Sequence, residues 1–122
     1  MKKLKVLLGI LLVCIFLSSC DKDDNETRKS FNVDLKVNEL YEYDTKISGD
    51  EEGASISTQA CHFEVSEILR ESSTNYSCVY KYKPALDYRG ADQVEIKLST
   101  GSNGASPSTH FEYIKINFNI SN

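Results

Sequence analysis

The sequence predicts an all-β protein with one antiparallel β-sandwich domain, preceded by an export signal. Apolar and polar residues alternate in several separate stretches, which is typical of half-buried strands. Residues that favour turns divide these stretches, and no convincing amphipathic helix interrupts them. The length of 122 residues provides for one domain and excludes a second core.

The first nineteen residues have the three-part layout of a secretory signal peptide. Lysines at positions 2, 3 and 5 form a basic start, residues 6–17 are apolar, and two serines precede Cys20. The apolar run is well short of the roughly 20 residues that a membrane-spanning helix needs. We therefore expect residues 1–19 to be removed rather than retained as an anchor.

The ending Leu17-Ser18-Ser19-Cys20 resembles the lipobox of bacterial lipoproteins. This resemblance implies that cleavage leaves Cys20 as the first residue of the mature chain, with a lipid on its thiol that anchors the protein in a membrane. A thiol is the nucleophile that lipid attachment needs, and small residues suit a narrow peptidase site. The alternative is an ordinary signal peptide followed by a chance cysteine.

Residues 20–30 are predicted to form a disordered tether, because residues 21–30 include no apolar side chain. The acidic cluster after Cys20 resembles the export signals of surface lipoproteins in the Bacteroidota. The resemblance implies an outer-membrane location with the domain at the cell surface, the alternative being the periplasmic face.

The domain is predicted over residues 31–122. Period-two alternation places strands in residues 31–43 (with a bend), 54–65, 76–82, 94–98 and 114–120. Residues 66–71 fit either one helical turn or an irregular crossover. Strands spaced by turns over about 100 residues are typical of an immunoglobulin-like sandwich.

The segment between Tyr82 and Asp92 resembles the strand-loop-strand signature of bacterial cadherin-like and immunoglobulin-like repeats. Tyr82, Pro84, Tyr88, Gly90 and Asp92 stand at the matching positions. The chain departs from that family directly after Asp92, where aromatic and Thr-rich residues are usual. The resemblance implies a fold and says little about function.

Each of these residue types also has a physical reason to be in a loop. Pro84 cannot donate to a strand ladder, Gly90 permits positive φ, and Asp92 can accept backbone N–H bonds that fix the loop. Calcium-binding cadherins use acidic side chains of such loops as ligands, but no run of alternating carboxylates surrounds Asp92. We therefore expect a loop-fixing role for these three residues and no bound metal.

Cys61 and Cys78 are the two cysteines left in the mature chain beside Cys20, which suggests one possible disulfide in an exported domain. Spacing alone cannot show whether their Cα atoms approach closely enough. Cys61-His62, with His110 far along the chain, lacks the paired spacing of a zinc site and the base of a catalytic thiol. No catalytic residue and no cofactor is therefore predicted.

The charge and the loops suggest a role in binding. The predicted mature chain keeps all 18 acidic residues but loses three of the 14 basic ones, which argues against nucleic acid and anionic headgroups as partners. We expect a non-enzymatic, lipid-anchored binding or accessory module that presents loops 46–53 and 99–109 to a protein or glycan partner. The alternatives are a small envelope hydrolase with an unrecognised site and a purely structural or inhibitor-like lipoprotein.

Overall fold

The computed structural model describes residues 25–122, which contain seven strands and no α-helix. The strands are β1 (Glu26–Lys36), β2 (Tyr41–Asp44), β3 (Gly53–Thr58), β4 (Phe63–Arg70), β5 (Cys78–Pro84), β6 (Gly90–Thr100) and β7 (His110–Ser121). A short 3₁₀ turn, Ser72–Thr74, precedes β5. The predicted signal peptide and the predicted lipidation site at Cys20 lie outside the described residues.

The strands form two sheets that pack face to face. One sheet has four strands in the order β1-β7-β6-β3, and the other has three in the order β2-β5-β4. The predicted all-β sandwich is therefore confirmed. The expectation that every strand pair is antiparallel is wrong at one place, because β1 runs parallel to β7 along its whole length.

The core lies between the two sheets and follows from the alternation of apolar residues. Its members on β6 and β7 are Val94, Ile96, Leu98, Ile114, Ile116, Phe118 and Ile120. The three-stranded sheet contributes Tyr80 and Tyr82, both fully buried. The rings of Tyr82 and Phe118 stack across the interface with centroids 3.9 Å apart, and burying such rings accounts for much of the hydrophobic stabilisation.

The first strand begins earlier than the sequence pattern indicated. Residues 26–30 are exposed, yet they continue the parallel ladder, with Glu26 opposite Phe111 and Ser30 opposite Lys115. The predicted tether is therefore wrong for these five residues, and the domain begins before residue 31. Backbone hydrogen bonds to β7 hold this edge segment in place. Its side chains are polar and exposed, so the sequence shows no alternation of apolar and polar residues that would indicate a strand.

The region predicted as one strand over residues 54–65 is two strands in different sheets. β3 pairs with β6, whereas β4 pairs with β5 and extends to Arg70. Residues 59–62 carry the chain from one sheet to the other. The segment 66–71, left open between a helical turn and a crossover, is thus mostly strand.

Loops close the sandwich at two opposite ends, the near end and the far end. The near end carries Asn25, where the described chain begins, and the loops 45–52, 71–77 and 101–109. The far end carries the loops 37–40, 59–62 and 85–89. β7 has 12 residues, so the two ends are about 40 Å apart at roughly 3.3 Å per residue.

Candidate functional site

Asp92 joins the loops at the far end. Its side chain is buried at the start of β6, and its Oδ1 accepts hydrogen bonds from the backbone N–H groups of Cys61 at 2.8 Å and Gln93 at 2.9 Å. Oδ2 accepts the N–H of His62 at 2.9 Å and the hydroxyl of Tyr82 at 2.7 Å. One carboxylate therefore ties loop 59–62 to both sheets, using the charge-assisted bonds that a buried carboxylate requires.

The loop between β5 and β6 packs on the same group. Pro84 is buried at the end of β5, and Gly90 has a φ of +133°, which favours glycine. A Cβ added at Gly90 would come 2.9 Å from the Tyr88 hydroxyl, which donates to the carbonyl of Ala91 at 2.6 Å. The Tyr88 ring also stacks on His62, with centroids 4.3 Å apart, so the glycine makes room for a ring that closes the loop.

A second contact fixes this loop from the other side. The Asn38 side chain accepts the backbone N–H of Asp87 at 2.9 Å and donates from Nδ2 to its carboxylate at 3.3 Å. Both residues have positive φ, which Asn and Asp tolerate better than other non-glycine residues. The loops 37–40 and 85–89 are therefore joined by two hydrogen bonds at their tips.

These fixed loops expose large apolar side chains. Leu86, between the residues that hold its loop, is 75% exposed, and Leu40 in the neighbouring loop is 49% exposed. Phe63, at the start of β4, is 37% exposed. Leu86 and Leu40 lie on two loops that the Asn38–Asp87 contact joins, and exposed apolar groups that lie together mark candidate contact sites for proteins. We call the surface of loops 37–40 and 85–89 the far-end surface.

The structure contradicts the possible disulfide between Cys61 and Cys78, both of which are free thiols. Cys61 precedes β4 at the far end, whereas Cys78 lies opposite Arg70, at the near end of the β4–β5 pair. The pair separates them by about seven residues, or roughly 23 Å, far beyond disulfide reach. The number of residues between the two cysteines could not predict this distance, because it does not determine where the β4–β5 hairpin turns.

The two histidines also lie at opposite ends. His62 belongs to the far end, whereas His110 pairs with Thr100 at the near end of β6. Within residues 25–122, no three His, Cys, Asp or Glu side chains are grouped as a metal-ligand set. A cavity of about 290 Å³ beside Cys61 and His62 is lined by Asp92 and Phe118 as well, but the Asp92 oxygens are occupied by the bonds described above.

The loops predicted to form the binding surface meet at the near end. Arg70 holds loop 45–52 by donating to the carbonyl oxygen of Glu52 at 2.6 Å. A Cβ added at Gly104, in loop 101–109, would lie 3.3 Å from the Glu51 carboxylate, so the two loops are neighbours. They therefore form one surface, on the same end of the sandwich as Asn25.

Sequence reasoning found Pro84, Gly90 and Asp92 but missed the contact between Asn38 and Asp87. These two residues lie 49 positions apart, and only the fold brings them together. The exposed Leu86 carried a signal that could have been used, since it lies between Pro84 and Gly90 in a segment marked as a turn and belongs to no alternating strand pattern.

No helix within residues 25–122 is long and apolar enough to cross a membrane. Comparisons with protein-family models, with curated proteins and with solved structures gave no match to this chain.

Proposed function

We propose that this chain is a lipid-anchored, non-enzymatic module of the cell envelope with an immunoglobulin-like fold, and that it binds a protein partner through its far-end surface. The strand order supports the immunoglobulin-like type. Seven strands divide four and three between the sheets, consecutive strands β4 and β5 pair, and β6 pairs with β7 beside β1. An immunoglobulin-type sandwich has this number of strands in about 100 residues.

The anchor part of the proposal rests on the lipobox resemblance at Cys20. Only five peptide steps separate Cys20 from Asn25, so an extended chain spans at most about 17 Å. A lipid on Cys20 would thus hold the near end close to the bilayer, in the outer membrane and, by the acidic-cluster resemblance, at the cell surface. Two or more acyl chains are needed for stable anchoring.

This geometry moves the proposed contact surface away from the loops that the sequence favoured. Loops 46–53 and 99–109 share the near end with Asn25 and would be crowded by the membrane. The far-end surface would project about 40 Å further out, given the length of β7. The exposure of Leu86, in a loop whose neighbouring residue Asp87 is hydrogen-bonded to Asn38, is the observation that carries the proposal.

Site-specific crosslinking tests the contact surface. A photoreactive amino acid at Leu86 in the native host should give a discrete adduct with one protein, and the same substitution at Ser106 in the near-end loop should not. The change Leu86→Asp, combined with a photoreactive residue at Leu40, should abolish the adduct, whereas Ser106→Asp should leave it unchanged. An adduct from Ser106 but none from Leu86 would refute the far-end surface.

Metabolic labelling tests the anchor separately. Labelled palmitate should enter the wild-type chain and be lost in Cys20→Ala, while Cys14→Ala, within the predicted signal peptide, should keep the label. Incorporation that survives Cys20→Ala would exclude the proposed lipidation. Protease treatment of intact cells then distinguishes the cell surface, where the domain is cleaved, from the periplasmic face.

A further inference from the structure

The outer face of the four-stranded sheet carries cations and amides in separate rows. Its side chains alternate along each strand with those that enter the core. From the near end to the far end, the rows read Arg28, Tyr113, Lys97 and Ser55; Ser30, Lys115 and Glu95; Asn32, Asn117 and Gln93; Asp34, Asn119 and Ala91. We call the first two, which hold Arg28, Lys97 and Lys115 together with the carboxylate of Glu95, the cation rows, and the last two the amide rows.

Aromatic rings support the cations in the first row. The Arg28 guanidinium lies 4.1 Å from the centre of the Tyr113 ring, and the Lys97 ammonium lies 4.5 Å from that of Phe111. Such contacts hold the long side chains over the sheet without neutralising them. Lys97 and Lys115 form no salt bridge with any described residue. Two ammonium groups are thus free to receive an anion.

The second cation row borders a shallow depression of about 430 Å³. It is lined by Arg28, Lys29, Ser30, Glu95 and Lys115. Arg28 bonds Glu95 at 3.3 Å, which places the guanidinium at the edge of the depression. Arg28 pairs with Glu95, and Lys29 pairs with Glu112 at 3.1 Å, so Lys115 is the cation of this lining that has no salt bridge within residues 25–122.

The amide rows supply groups that both donate and accept. Asn117 donates from Nδ2 to the Asn32 oxygen at 3.2 Å, and Asn119 lies 3.5 Å from an Asp34 oxygen. Each side-chain amide has two N–H donors and an oxygen with two lone pairs, so these contacts leave most of its capacity unused. Hydroxyl groups, which also donate and accept, are the natural complement of such a row.

We infer that this face binds an acidic oligosaccharide, a chain of uronic acid units, along the strand direction. Carboxylates would meet Lys97 and Lys115, and ring hydroxyls would meet the amide rows. Successive rows lie about 7 Å apart, two residues along a strand, so neighbouring sugar units can reach neighbouring rows. An acidic peptide offers the carboxylates but few hydroxyls, and would leave the amide rows unmatched.

The predicted mature chain has 18 acidic and 11 basic residues, a balance that opposes anionic ligands in general but does not exclude this one. Charges further apart than about 8 Å are largely screened at physiological ionic strength. The carboxylates closest to the cation rows are those of Glu26 and Glu95, which pair with Arg28, and Glu112, which pairs with Lys29. Lys97 and Lys115 form no salt bridge with a described residue, so these two ammonium groups decide the contact.

Calorimetric titration of the full chain, purified in detergent, tests the inference. The probes are oligomers of galacturonate, mannuronate, guluronate and hyaluronan, the methyl ester of each that binds, and oligoglutamate. The double variant Lys97→Gln/Lys115→Gln is compared with Lys81→Gln/Lys83→Gln, in which the lysines lie on β5 in the other sheet. We expect one or more uronate oligomers to bind. Methyl esterification of the oligomer and the Lys97/Lys115 double variant should each lower the affinity about tenfold or more. The Lys81/Lys83 double variant should change the affinity less than about twofold.

Several results would overturn the inference. Absence of binding to every uronate oligomer at millimolar concentration would exclude the ligand class. Equal affinity for acid and ester would exclude a role for the lysines, and equal affinity for oligoglutamate would show recognition of charge alone. An equal loss in the two lysine variants would place the contact elsewhere than on the outer sheet face.

Discussion

Replacing Asp92 by Asn changes one oxygen for an NH₂ group and should destabilise the domain by about 2–4 kcal/mol. With the new nitrogen in the Oδ2 position, the N–H of His62 loses its acceptor, while the Tyr82 hydroxyl can reverse and accept. One unsatisfied buried N–H costs about 1–3 kcal/mol, and the remaining bonds lose the gain from charge, about 1 kcal/mol each. The smaller desolvation cost of a neutral amide offsets part of this loss.

Equilibrium unfolding in urea measures the effect as a lower midpoint with an unchanged slope. Asp87→Asn is the matched control, because Asp87 is exposed at the same end and its backbone N–H, which bonds Asn38, stays in place. We expect the control to change the free energy of unfolding by less than about 1 kcal/mol. An Asp92→Asn loss no larger than that of the control would refute the assignment of Asp92 as the group that holds the loops. A double-mutant cycle with Tyr82→Phe would measure their coupling.

Three further outcomes follow from burial and hydrogen bonding. Burial raises the pKa of Tyr80 far above its usual value of 10.0. The neutral phenol therefore stabilises the fold below pH 10, and this contribution is lost as the pH rises through the raised pKa of the folded state. An absorbance titration should show Tyr80 ionising only when the domain unfolds. The pKa of Asp44 is lowered mainly by the hydrogen bond from the Ser77 hydroxyl and next by the bond from the backbone N–H of Lys46. The ionised carboxylate therefore stabilises the fold above about pH 4, and this contribution is lost as the pH falls through the lowered pKa of the folded state. Ser77→Ala should raise the pKa of Asp44 towards 3.8 in an NMR titration. Iodoacetamide should modify Cys61 in the native chain and Cys78 only after denaturation. A chain that stays unmodified after denaturation without reductant would contradict the free state of both.

The strands that the sequence predicted best are those with one face in the core. Val94, Ile96 and Leu98 alternate with polar residues on β6 because only one face of that strand is buried. The start of β1 was missed because residues 26–30 lie at a sheet edge, where pairing needs the backbone alone. Alternation of apolar and polar residues reports the burial of one strand face, so it cannot reveal a strand segment that has no buried face.

The site was predictable in its residue types and not in its contacts. An Asp in a loop after Pro and Gly is a sound candidate for a carboxylate that accepts backbone N–H bonds. Its partners at Cys61 and His62, 31 and 30 positions away, depend on how β3 crosses to β4. The disulfide prediction failed for the same reason, since two cysteines can share an export compartment and still lie at opposite ends of a hairpin.

The parallel pairing of β1 with β7 sets the order in which this domain can fold. Of the strands in residues 25–122, the first pairs with the last, so the four-stranded sheet cannot gain this edge until β7 is available. Contacts that close a loop of most of the chain length carry a large entropic cost and slow folding, typically to the millisecond-to-second range. Until then the backbone N–H and C=O groups of β1 have no partner strand, a state prone to aggregation. We therefore expect partly folded copies of this domain to associate with one another unless they are kept apart until β7 is available.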